Sequence, residues 1–488
     1  LNSDIKIIQF LYFCIDKQGI MIKRLYIFSF LIFFALSVFS QRSSYFNRVF
    51  VDAEYYLLYE DYQDALPLYL EIYNLHPKNA NINYRIALCY LNIPNQKHKS
   101  IPFFERAITD ITNDYHEGYY TEQQAPVQAY FHYGQALRVI GEFEKATEAL
   151  NTYKSKLKNP SDYENALVKR ELESIEYAKS MMENPVNVKI SSVGRYVNTR
   201  FSELFPVVSS DNKTMVYTSA QQFYYAIMMT TKNEGNWYHP LNITAQLFAE
   251  GAIRTVGLSA DGRTLLLARN DNDIYNLYIS TYDTTKKSWS IMSKLPKEIN
   301  SKSWENYGSF SPSGDTLYFS SNRPGGQGGF DIYYSTKTAT GWSEAVALDI
   351  TINTKGDEIA PALSHDGKKL FFASNGHTTI GGFDIFVAYR RNGKWTKPIN
   401  LGYPINTTDD DIFFYPVGDG TKGYISRTLT ESFGENDIYF VEFNKNKNTE
   451  EDLSGINIII KPGTQGQGNQ QVNSKRELTK LHTISLLK

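Results

Sequence analysis

Four tryptophans, Trp237, Trp289, Trp342 and Trp395, recur at intervals of 52, 53 and 53 residues. A unit repeated about every 50 residues restricts the chain to architectures that stack or ring similar modules, because one module cannot bury its apolar face alone. Around the tryptophans, short apolar runs are broken by Gly, Asn and Asp, the pattern of strands and tight turns. Five turn sequences share the period, at 209–212, 259–262, 311–314, 364–367 and 417–420. Their Asp-Gly character supplies the positive φ that a tight hairpin requires.

An apolar strand follows each turn, at 215–217, 265–267, 317–319, 370–372 and 424–425. A third strand is clearest at 330–333, 383–386 and 436–439, and the Trp strand is the fourth. Four strands per unit and five turns predict a five-bladed β-propeller over residues 186–443. Only four Trp strands accompany the five turns. The segment Val188 to Val193, followed by Val197-Asn198-Thr199, matches the unit tails ending Ile352-Asn353-Thr354 and Ile405-Asn406-Thr407. It is therefore expected to supply the outer strand of blade five and to close the ring between its two ends.

Residues 41–185 have helical apolar spacing instead. Glu60-Asp61-Tyr62-Gln63-Asp64-Ala65-Leu66 leads to Pro77, and Gly141-Glu142-Phe143-Glu144-Lys145-Ala146 leads to Tyr153. Ala53, Ala87 and Gly134 fall where paired helices would cross. These features resemble the tetratricopeptide repeat and imply an α-solenoid of three repeats, with residues 161–183 as a capping helix. About 17 residues after Ile108 depart from the period. By position, the resemblance places Asn47, Phe50, Asn81, Tyr84, Gln128, Phe131 and Arg138 in a concave groove. That groove would be either a partner-binding site or a surface that supports the next domain.

Met21, Lys23 and Arg24 precede an apolar run from Leu25 to Phe39 and then Ser40-Gln41. This reads as a signal peptide over 21–40 cleaved before Gln41, with 1–20 an upstream translated extension. The run is shorter than the roughly 20 residues that span a bilayer, and an uncleaved anchor is the alternative. Cleavage would remove Cys14 and leave Cys89 alone, so no internal disulfide is expected. A net charge of -2 gives no sign of a nucleic-acid surface.

Nine residues before the last turn residue stands an acid in four blades: Glu203, Glu305, Glu358 and Asp411, with Ile253 in blade two. They could ring the mouth of the central channel and hold a cation or a basic peptide. The other reading is a contact encoded once per repeat, and regularity favours it, since catalysis needs unlike residues in unlike roles. Asp331, Asp384 and Asp437 fall under the same reasoning. Asn270-Asp271-Asn272-Asp273 and Asp409-Asp410-Asp411 lack EF-hand spacing. The Gly325 to Gly329 run enters a strand rather than the helix N-terminus that a phosphate cradle requires. The eight histidines show no zinc spacing, and no Gly-x-Ser-x-Gly elbow occurs. Neither a metal, a cofactor nor catalysis is expected.

The domain order, the Leu-Ser-x-Asp-Gly turns, the Gly-Gly-Phe-Asp-Ile strands at Gly329 and Gly382 and the Ile-Asn-Thr segments resemble OmpA-family envelope proteins of Bacteroidetes. These carry tetratricopeptide repeats and a TolB-type, WD40-like propeller, and include a periplasmic component of the type IX secretion machinery. The resemblance covers residues 41–443. It implies a periplasmic location near the outer membrane and partners among envelope or secretion-complex proteins. Family members continue into an OmpA-like domain that grips peptidoglycan. Residues 444–488, read as a linker and a truncated tail, are too few to hold that domain, so peptidoglycan binding is not carried over. The expected function is a non-catalytic scaffold, with a carbohydrate-active enzyme or a glycan-binding module on the propeller as the alternatives.

Overall fold

The computed structural model describes residues 44–444. The signal segment and the tail lie outside the described residues. Two compact units divide between Tyr133 and Gly134. The boundary therefore falls inside a helix, well before the Pro185 that the change of sequence pattern suggests.

In the first unit, α1 (44–58), α2 (Tyr62–Tyr73), α3 (Ala80–Asn92) and α4 (Ile101–Ala107) precede the start of α5 (Ala129–Val139). Phe50, Ala53, Tyr69, Ile72, Ile86 and Cys89 form its core. Ala53 has no exposed surface. The side chain of Asn79 caps α3 by accepting the Ile82 N–H. Between α4 and α5, the two-residue strands β1 (Ile111–Thr112) and β2 (Ala125–Pro126) pair in parallel and tie off a loop.

The second unit begins with the rest of α5, then α6 (Phe143–Lys156) and α7 (Asp162–Glu183). A Cβ on Gly134 would lie 2.8 Å from Leu150 Cγ, so the missing side chain is what lets α5 and α6 cross closely. Ser161 and Glu164 form a reciprocal capping box at the start of α7.

Beyond α7 the chain builds five antiparallel sheets. The innermost strands are Ser202–Val208, Ile253–Leu258, Glu305–Phe310, Glu358–Leu363 and Phe414–Val417. Each packs against the next, and the fifth against the first, so the ring is closed and five-bladed. The closing strand, Val188–Ser192, pairs antiparallel with Asp437–Phe443, with Ser192 opposite Tyr439 and Val188 opposite Phe443. This is the outer strand of blade five that the missing tryptophan implies.

The fourth strand departs from the expected single Trp strand. It is split into two short pieces, as in Asn236–Trp237 and Leu241–Asn242, both paired with the third strand Tyr225–Asn233. A third-strand hydroxyl bridges the break in three blades: Thr230 to the Tyr238 carbonyl, Ser280 to that of Ser290, and Ser335 to that of Ser343. Three of the four tryptophans wedge between blades. Trp237 meets Tyr424 of blade five, Trp289 donates its Nε1–H to Met229 of blade one, and Trp395 meets Tyr318 of blade three. The Trp period is thus the period of the joint between neighbouring blades.

Candidate functional site

The four repeated acids sit at this joint. Glu203, Glu305, Glu358 and Asp411 are all buried. Each accepts the backbone N–H and the side-chain hydroxyl of the residue four positions earlier: Thr199, Ser301, Thr354 and Thr407. Ser219, Ser321 and Ser374 donate a further hydroxyl from the second strand. The Asn preceding each of these Thr or Ser residues mimics a strand partner. Asn353, for example, accepts the Ile332 N–H at 2.8 Å and donates to its carbonyl at 3.1 Å. Asn198, Asn300 and Asn406 do the same for Ile438, Leu277 and Ile385. The Asn-Thr/Ser-x-x-x-acid sequence therefore latches the end of one blade to the start of the next. The acids do not form an open ring at the channel mouth.

Burial pushes the Glu203 and Glu358 carboxyls up to about 7, against the hydrogen bonds that stabilise the charged form. Asp411 is pushed up to about 6 by burial, with the Arg427 guanidinium at 2.8 Å pulling the other way. Glu305 pairs with Arg323 at 3.1 Å.

Asp331, Asp384 and Asp437 organise the loop before the third strand. Asp331 accepts the N–H groups of Gln327 and Gly328, and Asp384 those of Ile380 and Gly381. Burial pushes Asp384 up to about 8. The glycine-rich run thus turns its N–H groups onto Asp331. A Cβ on Gly326 would meet Asp331 Oδ2 at 1.7 Å. The other acidic runs are also engaged. Asp271 binds Arg269 and Lys294, and Asp410 accepts the Phe383 N–H. Among the described residues, no group of three His, Cys, Asp or Glu could hold a metal.

The helical groove residues scatter. Phe50, Asn81, Tyr84, Phe131 and Arg138 are buried, Asn47 is half-buried and Gln128 is exposed. Phe50 belongs to the core between α1 and α2, edge-on to Tyr69. Asn81 lies beneath the chain's own insertion. Tyr115 donates its hydroxyl to Asn81 Oδ1 at 2.6 Å, and the Asn81 N–H reaches the Gln123 carbonyl. Beside it, Arg85 pairs with Glu54 at 2.9 Å and with Glu117 at 3.5 Å. These contacts come from residues after Ile108 that depart from the repeat period. Tyr84 is enclosed by Phe104 and His132, and Phe131 stands edge-on to the His132 ring. Arg138 lines no groove either. It pairs with Glu171 at 3.0 Å and donates to the Thr408 carbonyl at 2.8 Å. Ser174 donates to the carbonyls of Thr379 and Ile380, fixing α7 to blade four in the same way.

Aromatic side chains line the inner face of the ring. Phe205, Tyr307 and Phe413 stand edge to face, and Phe413 stacks on Tyr415. The Tyr415 hydroxyl donates to the Leu258 carbonyl at 3.1 Å and accepts its N–H at 3.2 Å, tying blade five to blade two across the axis. One charged residue, Arg254, enters this aromatic column. Nothing periodic marks it, and the only signal in the sequence is that blade two breaks the acid rule.

Neither a family model nor a curated protein matches the chain. Solved structures with a similar fold include TolB from Acinetobacter baumannii, 16% identical, covering 59% of this chain and 71% of that one with a TM-score of 0.31. A TolB from Agrobacterium tumefaciens is 14% identical over 53% of this chain and 98% of its own, with a TM-score of 0.29. The α-L-arabinofuranosidase PaAbf62A from Podospora anserina is 14% identical over 54% and 98%, with a TM-score of 0.34. These likenesses concern the propeller fold alone, and proteins with and without catalytic names share it.

Proposed function

We propose that the chain is a non-catalytic scaffold that presents surfaces to partner proteins of an envelope or type IX secretion complex in the periplasm, near the outer membrane. The observation that carries the non-catalytic part is the use of Glu203, Glu305, Glu358 and Asp411 inside blade latches, beside aromatic side chains on the inner face of the ring. The helices fit a tetratricopeptide-type support whose own insertion contacts Asn81 of the expected groove, so partner contact falls on other faces. On α1, Val51, Tyr55, Leu58 and Tyr59 share one exposed side, with Leu58 79% exposed. The periplasmic assignment rests on the 21–40 segment and on the family resemblance.

The test is a pull-down from envelope extract with the whole chain and with a Tyr55→Ser/Leu58→Ser variant. The expected result is an outer-membrane-associated protein retained by the parent and depleted several-fold with the variant. Recovery of no envelope protein by the folded parent would count against the scaffold reading.

A further inference from the structure

Among the five blade joints, the one entering blade two lacks the latch. Ile253 replaces the acid, and the preceding turn uses Thr244 in place of Asn to accept the Ile227 N–H. Arg254 follows at the top of the innermost strand. A place where a repeat abandons its own rule is where function is expected to intrude.

Arg254 is buried, with 5% of the residue exposed. Its Cζ lies 4.3 Å from the Tyr275 ring centroid, 5.0 Å from that of Tyr307 and 5.6 Å from that of Phe205. Nη1 donates to the Tyr307 hydroxyl at 3.0 Å. Nη2 is buried without a hydrogen-bond partner, and Arg254 makes no ion pair among the described residues. Cation–π contacts offset part of the cost of burying this charge, but they leave the N–H bonds of Nη2 unanswered. Two more donors on the adjacent innermost strand are also buried and unpartnered: Asn306 Nδ2 and Ser309 Oγ. The Asn306 carbonyl oxygen is already taken by Ser320. At Arg254 Nη2, which can only donate, the unmet demand is for an acceptor. Half-buried Tyr225 and Trp304 border the cage, and Trp304 stands 5.7 Å from Tyr275.

We propose that Arg254 and its aromatic cage form a binding site for a small-molecule carboxylate. A carboxylate is planar and singly charged. One of its oxygens would accept from the unpartnered Nη2, while the aromatic side chains around the guanidinium border the carbon skeleton. The site does not depend on the scaffold reading, since a scaffold without it and a carboxylate binder without partners are both self-consistent.

Calorimetric titration of the whole chain with acetate, glucuronate, glutamate, inorganic phosphate and glucose tests it. The expected result is saturable binding of at least one carboxylate, no binding of glucose, and a Kd raised tenfold or more by Arg254→Gln. Glucuronate binding tightest would identify an acidic sugar, and glutamate binding tightest an amino acid. Should Arg254→Gln fail to fold, Tyr275→Leu, expected to weaken binding several-fold, and a saturable rise in parent Tm with the carboxylate at fixed ionic strength serve instead. No saturable carboxylate binding, a preference for phosphate, or affinity unchanged in the variants would overturn the proposal, leaving a water at Nη2.

Discussion

A carboxylate that recurs at one position in four of five blades invites a functional reading, and the surroundings of Glu358 give it a structural one. The side chain has no exposed surface, and its oxygens accept from Thr354 and Ser374. Burial raises its pKa from 4.5 to about 7, so the folded chain holds this proton more tightly than the unfolded chain. The sign follows: its contribution to stability is fully present below pH 4.5 and is lost as pH rises through about 7. Glu203 behaves likewise. Glu358→Gln is therefore expected to flatten the pH dependence of unfolding free energy between pH 5 and 7, by up to about 1.4 kcal/mol per pH unit. Denaturant titrations across that range check it, and an unchanged slope would mean the carboxyl is not desolvated. The acids were legible in the sequence as repeat-encoded contacts because the same residue returned at the same offset. Arg254 was not, because a single residue inside a repeat carries no periodic signal. The roles of Asn81 and Arg138 were hidden for another reason: their partners, Tyr115 and Thr408, lie 34 and 270 residues away.

At the level of elements, the tight turns and the second strands could be read directly, since a positive-φ turn and the apolar run beside it are local features. Ring closure was also legible, by counting four Trp strands against five turns. The split of the fourth strand was not, because it depends on hydroxyls of the third strand reaching across. Two consequences belong here. Trp237→Ala empties a buried site between blades one and five, where Trp237 is 5% exposed, and should cost about 3–5 kcal/mol by denaturant unfolding. Deleting residues 188–192 bares the hydrogen-bonding edge of Asp437–Phe443. The deletion should lower Tm and produce self-association by light scattering, since an unpaired edge is a template for another chain. A monomer with the parent Tm would show that the closing strand contributes little.

Across the molecule, the change from helical to strand grammar at Pro185 does not coincide with the boundary between compact units. Arg138, Ser174 and Val186 bond to Thr408, Ile380 and Tyr403 of the propeller. Ala178 and Met181 of α7 cluster with Ile380. The helices after Gly134 are therefore part of the propeller's own stabilisation. A fragment 134–443 should melt in one transition and several degrees above a fragment 186–443. Equal melting temperatures would return the boundary to Pro185.

On the proposed scaffold role, the propeller presents surfaces and does not catalyse. A hydrolysis screen of the whole chain against a glycan and peptide panel, run beside Glu203→Gln, Glu305→Gln, Glu358→Gln and Asp411→Asn, tests it most directly. The expected result is no turnover by the parent, with the substitutions changing stability alone. Turnover that a single one of these changes abolishes, in a variant that still folds, would contradict it.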